Sequence, residues 1–207
     1  MKRLLLALCL SCFPIAVLAG DFPALFDVTG VASDDTLNIR AKPEAGSQKV
    51  GTFSFDQQNI EVITLSSDEK WGMVGLGEVS GWVAVRFLER VSSESWAHDT
   101  TSLACSGTEP FWSTDITDAR QTLEFQLFDN SKMTFETAWQ ATPRGFTGGT
   151  LGLLARADNG DSAYTTIVTG QCSDGMSDRT FGMNISIFLS QGEQVTGYQG
   201  CCSLQSD

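Results

Sequence analysis

Histidine is nearly absent from this chain of 207 residues: His98 is the single example. A Ser-His or Cys-His nucleophile needs an imidazole beside it, so that class of catalyst has poor material here. Basic side chains are also scarce. The 13 Lys and Arg face 25 Asp and Glu, a net charge of -12. Such a field repels a phosphate polyanion and excludes nucleic acid as a partner. Spaced CxxC pairs are missing, which speaks against a zinc or dithiol centre. No glycine-rich loop stands between a strand and a helix to cradle phosphate. We therefore expect neither a metal nor a cofactor. A sustained 3.6-residue apolar period is missing too, which argues against long helices. Beyond residue 20 no apolar run is long enough to span a bilayer.

What is present begins with an address. Lys2-Arg3 precedes an apolar run, Leu4 to Leu18, broken by Pro14 and ending at Val17-Leu18-Ala19. This is the pattern of a secretory signal peptide cleaved before Gly20. The run falls short of the roughly 18–20 residues of an uncleaved anchor. Cleavage leaves 11 basic against 25 acidic side chains, a net charge of -14, and no membrane span. The expected location is outside the cytoplasm, in the periplasm. Two of the six cysteines leave with the leader. Cys105, Cys172, Cys201 and Cys202 remain, an even number that implies disulfides in an exported chain.

All four lie after residue 100, so the chain divides into two chemically different halves: 20–91 and 103–207, with 92–102 (SSESWAHDTTS) as a linker. The first half carries short apolar runs about every ten residues. They are Val28–Val31, Leu37–Ile39, Val50–Phe55, Ile60–Leu65, Trp71–Val74 and Gly81–Val85. In the second half, Thr122–Phe128 and Lys132–Trp139 alternate apolar with polar residues, and Asp129-Asn130-Ser131 forms a hairpin turn between them. Leu151–Arg156, Tyr164–Val168, Met183–Leu189 and Gln194–Tyr198 are further strands. The fold class is all-β: a small barrel followed by a disulfide-bonded antiparallel barrel or sandwich.

The first-half motifs stand in a recognisable order: Leu37-Asn38-Ile39-Arg40, Pro43, Val50-Gly51-Thr52, Ile60-Glu61-Val62, Trp71-Gly72-Met73-Val74, then Ser80-Gly81-Trp82-Val83 and Phe87-Leu88. Residues 28–90 resemble the bacterial SH3-type domain. Lys42 stands where a glycine is common, and Asp56-Gln57-Gln58 lacks the usual turn glycine. The resemblance implies a noncatalytic binding module of the cell envelope, with a peptide or peptidoglycan as partner. The residues that would line its groove are Arg40, Trp71 and Trp82. Each indole joins a large apolar body to one N–H, which suits a half-wet rim. Trp82, inside Gly-Trp-Val, suits the core better than the groove, and Arg40 suits a structural ion pair better than ligand contact.

Three patches mark the second half: Cys105-Ser-Gly-Thr-Glu-Pro-Phe-Trp112, Cys172-Ser-Asp-Gly-Met-Ser-Asp178 and Gly197-Tyr-Gln-Gly-Cys-Cys202. Over about residues 103–202 they resemble an uncharacterised family of exported bacterial β domains, which carries no activity to transfer. Neighbouring cysteines have Cα atoms about 3.8 Å apart, too close for ordinary disulfide geometry. On a strand, Cys201 and Cys202 point to opposite faces, so each needs its own partner. Two of the three connectivities remain, and we favour Cys172–Cys201 with Cys105–Cys202. Phe111 and Trp112 are expected in the core, and Glu109 in an ion pair with Arg144 or Arg179. Two other functional readings compete. One is a hydrolase-like site at Asp174, Ser177 and Asp178, which would need convergent carboxylates of raised pKa. The other is a small-ligand carrier with a cavity inside the second β domain.

Overall fold

The computed structural model describes residues 22–129, 131–145 and 149–205. The leader 1–19 and Asn130 of the expected hairpin turn lie outside the described residues. Within them the protein is all-β.

Seven strands form the first module: β1 (Ala24–Val28), β2 (Thr36–Arg40), β3 (Lys49–Ser54), β4 (Ile60–Leu65), β5 (Trp71–Leu76), β6 (Val79–Ala84) and β7 (Leu88–Arg90). They make one antiparallel sheet in the order β3-β2-β6-β5-β4-β1-β7. Alternation sends Leu37, Ile39, Val62, Val74 and Val83 into a shared core. The expected strand Val28–Val31 ends at Val28, because the chain turns at Gly30, whose φ of 67° is left-handed. Val85, expected to end a strand, opens a 3-10 turn, Val85–Phe87.

The second module is a closed eight-stranded barrel. Its strands are β8 (Ser102–Thr108), β9 (Phe111–Thr117), β10 (Thr122–Leu127), β11 (Lys132–Ala141), β12 (Thr150–Arg156), β13 (Ser162–Cys172), β14 (Phe181–Gln191) and β15 (Gln194–Gln205). Sequence neighbours pair throughout, and β15 pairs with β8 to close the ring. Closure leaves no free sheet edge. Leu103, Ile116, Leu123, Phe125, Phe135, Leu153, Ile167 and Ile187 fill the interior and are almost wholly buried. Among the described residues these side chains pack the space that a carrier would keep open.

The disulfides lie across the seam. Cys202 and Cys105 are register partners on β15 and β8, with Cα atoms 4.0 Å apart, and they bond to each other inside the barrel. Cys201 bonds Cys172 at the end of β13, with Cα atoms 5.6 Å apart. The sequence separations are 97 and 29 residues. In the chain-entropy account they stabilise by about 5 and about 4 kcal/mol. Disulfides are stable in an oxidising compartment and not in the cytosol.

The segment 92–102 is not a free tether. Trp96 is 1% exposed and belongs to the barrel core. Its Nε1 donates to Thr169 Oγ1 at 2.9 Å. Gly149 leaves room for the indole, since a Cβ there would lie 2.6 Å from Nε1. The fully buried Arg120 fastens the segment from the other side. Its Nε donates to Thr101 O at 3.0 Å, and its Nη2 donates to Trp96 O and lies 3.5 Å from Asp99 Oδ1.

The two modules touch where β4, β5 and β6 meet β15 and the loop before β14. Thr180 N donates to Ser80 Oγ at 2.8 Å, and Asp178 bridges Val79. Arg179 lies against Gly75, where a Cβ would be 2.9 Å from its Nε. Its guanidinium covers Phe181 at 4.5 Å and donates to Ser203 Oγ at 3.0 Å. It does not pair with Glu109; the carboxylate it faces is Glu61. Glu61 points out of β4 and accepts from Leu204 N at 2.8 Å. Burial against the barrel outweighs that hydrogen bond and the Arg179 charge, and pushes the Glu61 carboxyl from its ordinary 4.5 up to about 7.

Two outcomes follow from this packing. Trp96→Ala should lower the unfolding free energy in urea by about 3–5 kcal/mol, the cost of emptying a large buried indole site. For Glu61 the folded pKa is raised, so its contribution is full below pH 4.5 and is lost as pH climbs through about 7. Glu61→Gln keeps an acceptor for Leu204 without the charge. Its stability relative to the native chain should therefore rise by on the order of 3 kcal/mol between pH 4.5 and 8. Parallel pH profiles would refute this.

Candidate functional site

In the first module, β2, β6 and β5 turn one face outward. Arg40 stands in register with Trp82, Trp82 with Met73, and Trp71 with Ala84. Beside this row lies a groove of about 420 Å³ that Arg40, Trp71, Arg86 and Phe87 line together with Asp35 and Asn38. Two of the three expected residues, Arg40 and Trp71, thus converge. Trp82 is outside the groove and half-buried on the sheet face opposite Gly81 and Val83, so it does not belong to the core. Arg40 forms no ion pair among the described residues; its Nη1 donates to Ser47 O at 2.9 Å. Arg86 and Phe87 are additions that the sequence did not flag. The 3-10 turn after β6 brings them to the groove, and Arg86 stacks over the Phe87 ring at 4.7 Å.

On the barrel, the three sequence patches meet. Trp112 packs its indole between Gly107 and Gly200, and its Nε1 donates to Gln199 O at 3.3 Å. A Cβ at Gly107 would collide with that indole, and one at Gly200 with the Ser106 carbonyl. The ring stacks on Phe125 at 5.4 Å, and Tyr198 joins both at 6.1 and 5.1 Å. Trp112 is therefore core, as expected, whereas Phe111 is 47% exposed. The strand period explains the difference, since neighbours on β9 point to opposite faces. Outside this cluster lies a second groove of about 1080 Å³, between the β8–β9 turn and the loop 172–176.

The trio Asp174, Ser177 and Asp178 forms a turn instead of a catalytic pair. Asp174 accepts from Met176 N at 3.0 Å, Ser177 N at 2.9 Å and Ser177 Oγ at 2.9 Å. These bonds, led by the Ser177 N–H, hold its carboxyl below the ordinary aspartate range. A hydrolase-like site needs the opposite shift. The Asp178 backbone forms a β-bridge with Val79 of the other module. His98 lies 3.3 Å from Thr142 Oγ1, in no such cluster. Among the described residues no group of three or more His, Cys, Asp or Glu side chains is placed to hold a metal ion. No helix among them is long and apolar enough to cross a membrane.

No protein-family model matches the chain, and no curated protein matches it. The packing around Trp112 gives a direct check. Gly200→Ala should prevent the seam from closing as built, lowering the unfolding free energy by at least about 2 kcal/mol. Gly46→Ala, in a loop where a Cβ meets open space and φ is not left-handed, should cost less than half as much; equal losses would contradict the packing.

Proposed function

We propose that this chain is an exported, noncatalytic binding protein of the cell envelope, and that the groove beside β2 and β6 holds a peptide or the peptide portion of peptidoglycan. The convergence of Arg40 and Trp71 on one open groove carries this reading. Trp71 supplies a flat apolar platform with a single N–H. Arg40 and Arg86 offer forked donors to carbonyl or carboxylate groups on a bound chain. The order of motifs over residues 28–90, similar to the bacterial SH3-type domain, supports the same reading. The basic-then-apolar leader and the two disulfides support export, with the periplasm as destination.

The test is retention on purified cell wall. The disulfide-bonded chain should be retained, and Trp71→Ala should weaken retention about tenfold, as expected for an aromatic anchor. Arg40→Ala should weaken it less, while Trp82→Ala should have little effect. No retention by the native chain, or retention indifferent to Trp71, would overturn the proposal.

A further inference from the structure

We propose that the groove on the outer face of β14 and β15 is a second binding site, for an extended basic peptide segment of a partner protein. The groove belongs to the barrel and shares no lining residue with the Arg40–Trp71 groove.

Its floor is the ribbon of β14 and β15. Asn184, Ser186 and Phe188 point outward from β14, opposite Cys201, Gln199 and Gly197 of β15. The Phe188 ring lies down on Gly197, where a Cβ would be 2.8 Å from the ring edge, and it remains 50% exposed. Ser186 and Gln199 offer hydrogen-bonding groups to a peptide backbone laid along the ribbon. Phe111 on one wall is 47% exposed and Met176 on the other is 69% exposed. Methionine adapts its shape to varied apolar partners.

The walls are held before any ligand arrives. Thr108 Oγ1 of the β8–β9 turn donates to the Asp174 carbonyl at 2.9 Å, joining one wall to the other. The Cys172–Cys201 disulfide anchors the loop to the floor, and the Asp174 side chain closes its turn. Fixed walls lower the ordering cost of binding.

Charge selects the ligand. Among the described residues the lining includes Glu109 and Asp174 and no Lys, Arg or His. Hydrogen bonds from the Ser177 and Met176 N–H groups favour the charged form of the Asp174 carboxyl and hold it below the ordinary aspartate range. The surrounding chain has net charge -12, so anionic ligands are repelled. Lysine and arginine use all the parts: their apolar stems lie along Phe111 and Phe188, and their heads reach the acids.

Fluorescence anisotropy with a dye-labelled octapeptide of alternating lysine and leucine tests the site on the disulfide-bonded chain. The basic peptide should bind, and a counterpart with glutamate in place of lysine should not. Glu109→Gln should weaken binding about fivefold and Phe188→Ser about tenfold. Asp56→Asn, an exposed acid on the other module, and Trp71→Ala should leave it unchanged. Phe188 lies on the surface, so its loss should spare the fold, and intact disulfides in the variant would check this. The proposal is overturned if the glutamate peptide binds as well, or if neither peptide binds. Equal weakening by Asp56→Asn and Glu109→Gln would mean bulk charge alone. Loss with Trp71→Ala would assign the peptide to the first groove. Displacement by a chitin oligosaccharide would assign the second groove to glycan.

Discussion

Two adjacent cysteines on one strand impose the constraint from which the second module is built. Side chains alternate along a strand, so Cys202 enters the barrel while Cys201 leaves it. Cys202 bonds Cys105 and locks β15 to β8, the pairing that closes the ring. Cys201 bonds Cys172 and fixes the start of the loop that runs from 172 to 180. That loop then does two things. Its near part walls the outer groove, and its far part, Asp178 to Thr180, meets the first module. Closure, groove and docking thus share one strand position.

Large indoles are accommodated by missing side chains. Trp112 occupies space that Gly107 and Gly200 leave open, at the seam where β8 meets β15. Trp96 uses the space at Gly149 and finds a hydroxyl for its N–H. Both are cases of a polar handle satisfied inside an otherwise apolar site. Arg120 serves the Trp96 segment by donating to its carbonyls, which lets an irregular stretch be buried without stranded backbone acceptors.

The contact between modules is polar at its centre. Glu61 is shut against the barrel and faces Arg179 and the Leu204 N–H. Such a group is costly when charged and buried, so the junction is sensitive to the proton concentration in a way that an apolar contact would not be. The two grooves are set apart: the Arg40–Trp71 groove and the Phe188 groove use different residues from those of this junction.

Much of this was legible from residue order. Alternation in Thr122–Phe128 and Lys132–Trp139 identified two barrel strands nearly to their ends, because a half-buried strand repeats every two residues. The opposite-face argument reduced the cysteine connectivities to two, and the bonds formed are within that set. Arg40 and Trp71 were singled out for their chemistry, a cation after an apolar pair and a large ring with one N–H, and the structure brings both to one groove. Glu61 was not legible. It sits in Ile-Glu-Val, where alternation says only that it points outward, and nothing local says that another module covers it. Arg86 was hidden for a similar reason, since Val83-Ala84-Val85 continues the strand pattern across a 3-10 turn. Phe111 was assigned to the core by its apolarity, although its neighbour Trp112 takes that face.

By itself the sequence determined the strand-rich class, the division into two halves and the need for each late cysteine to find a separate partner. These depend on period-two geometry and on covalent distances, which are local. Only the tertiary structure decided that the second half closes into a barrel, that 92–102 folds back into it, and that Glu61 is half-buried against it. Those outcomes arise from contacts between segments distant along the chain, where packing and desolvation, not local pattern, choose among the arrangements that residue order permits.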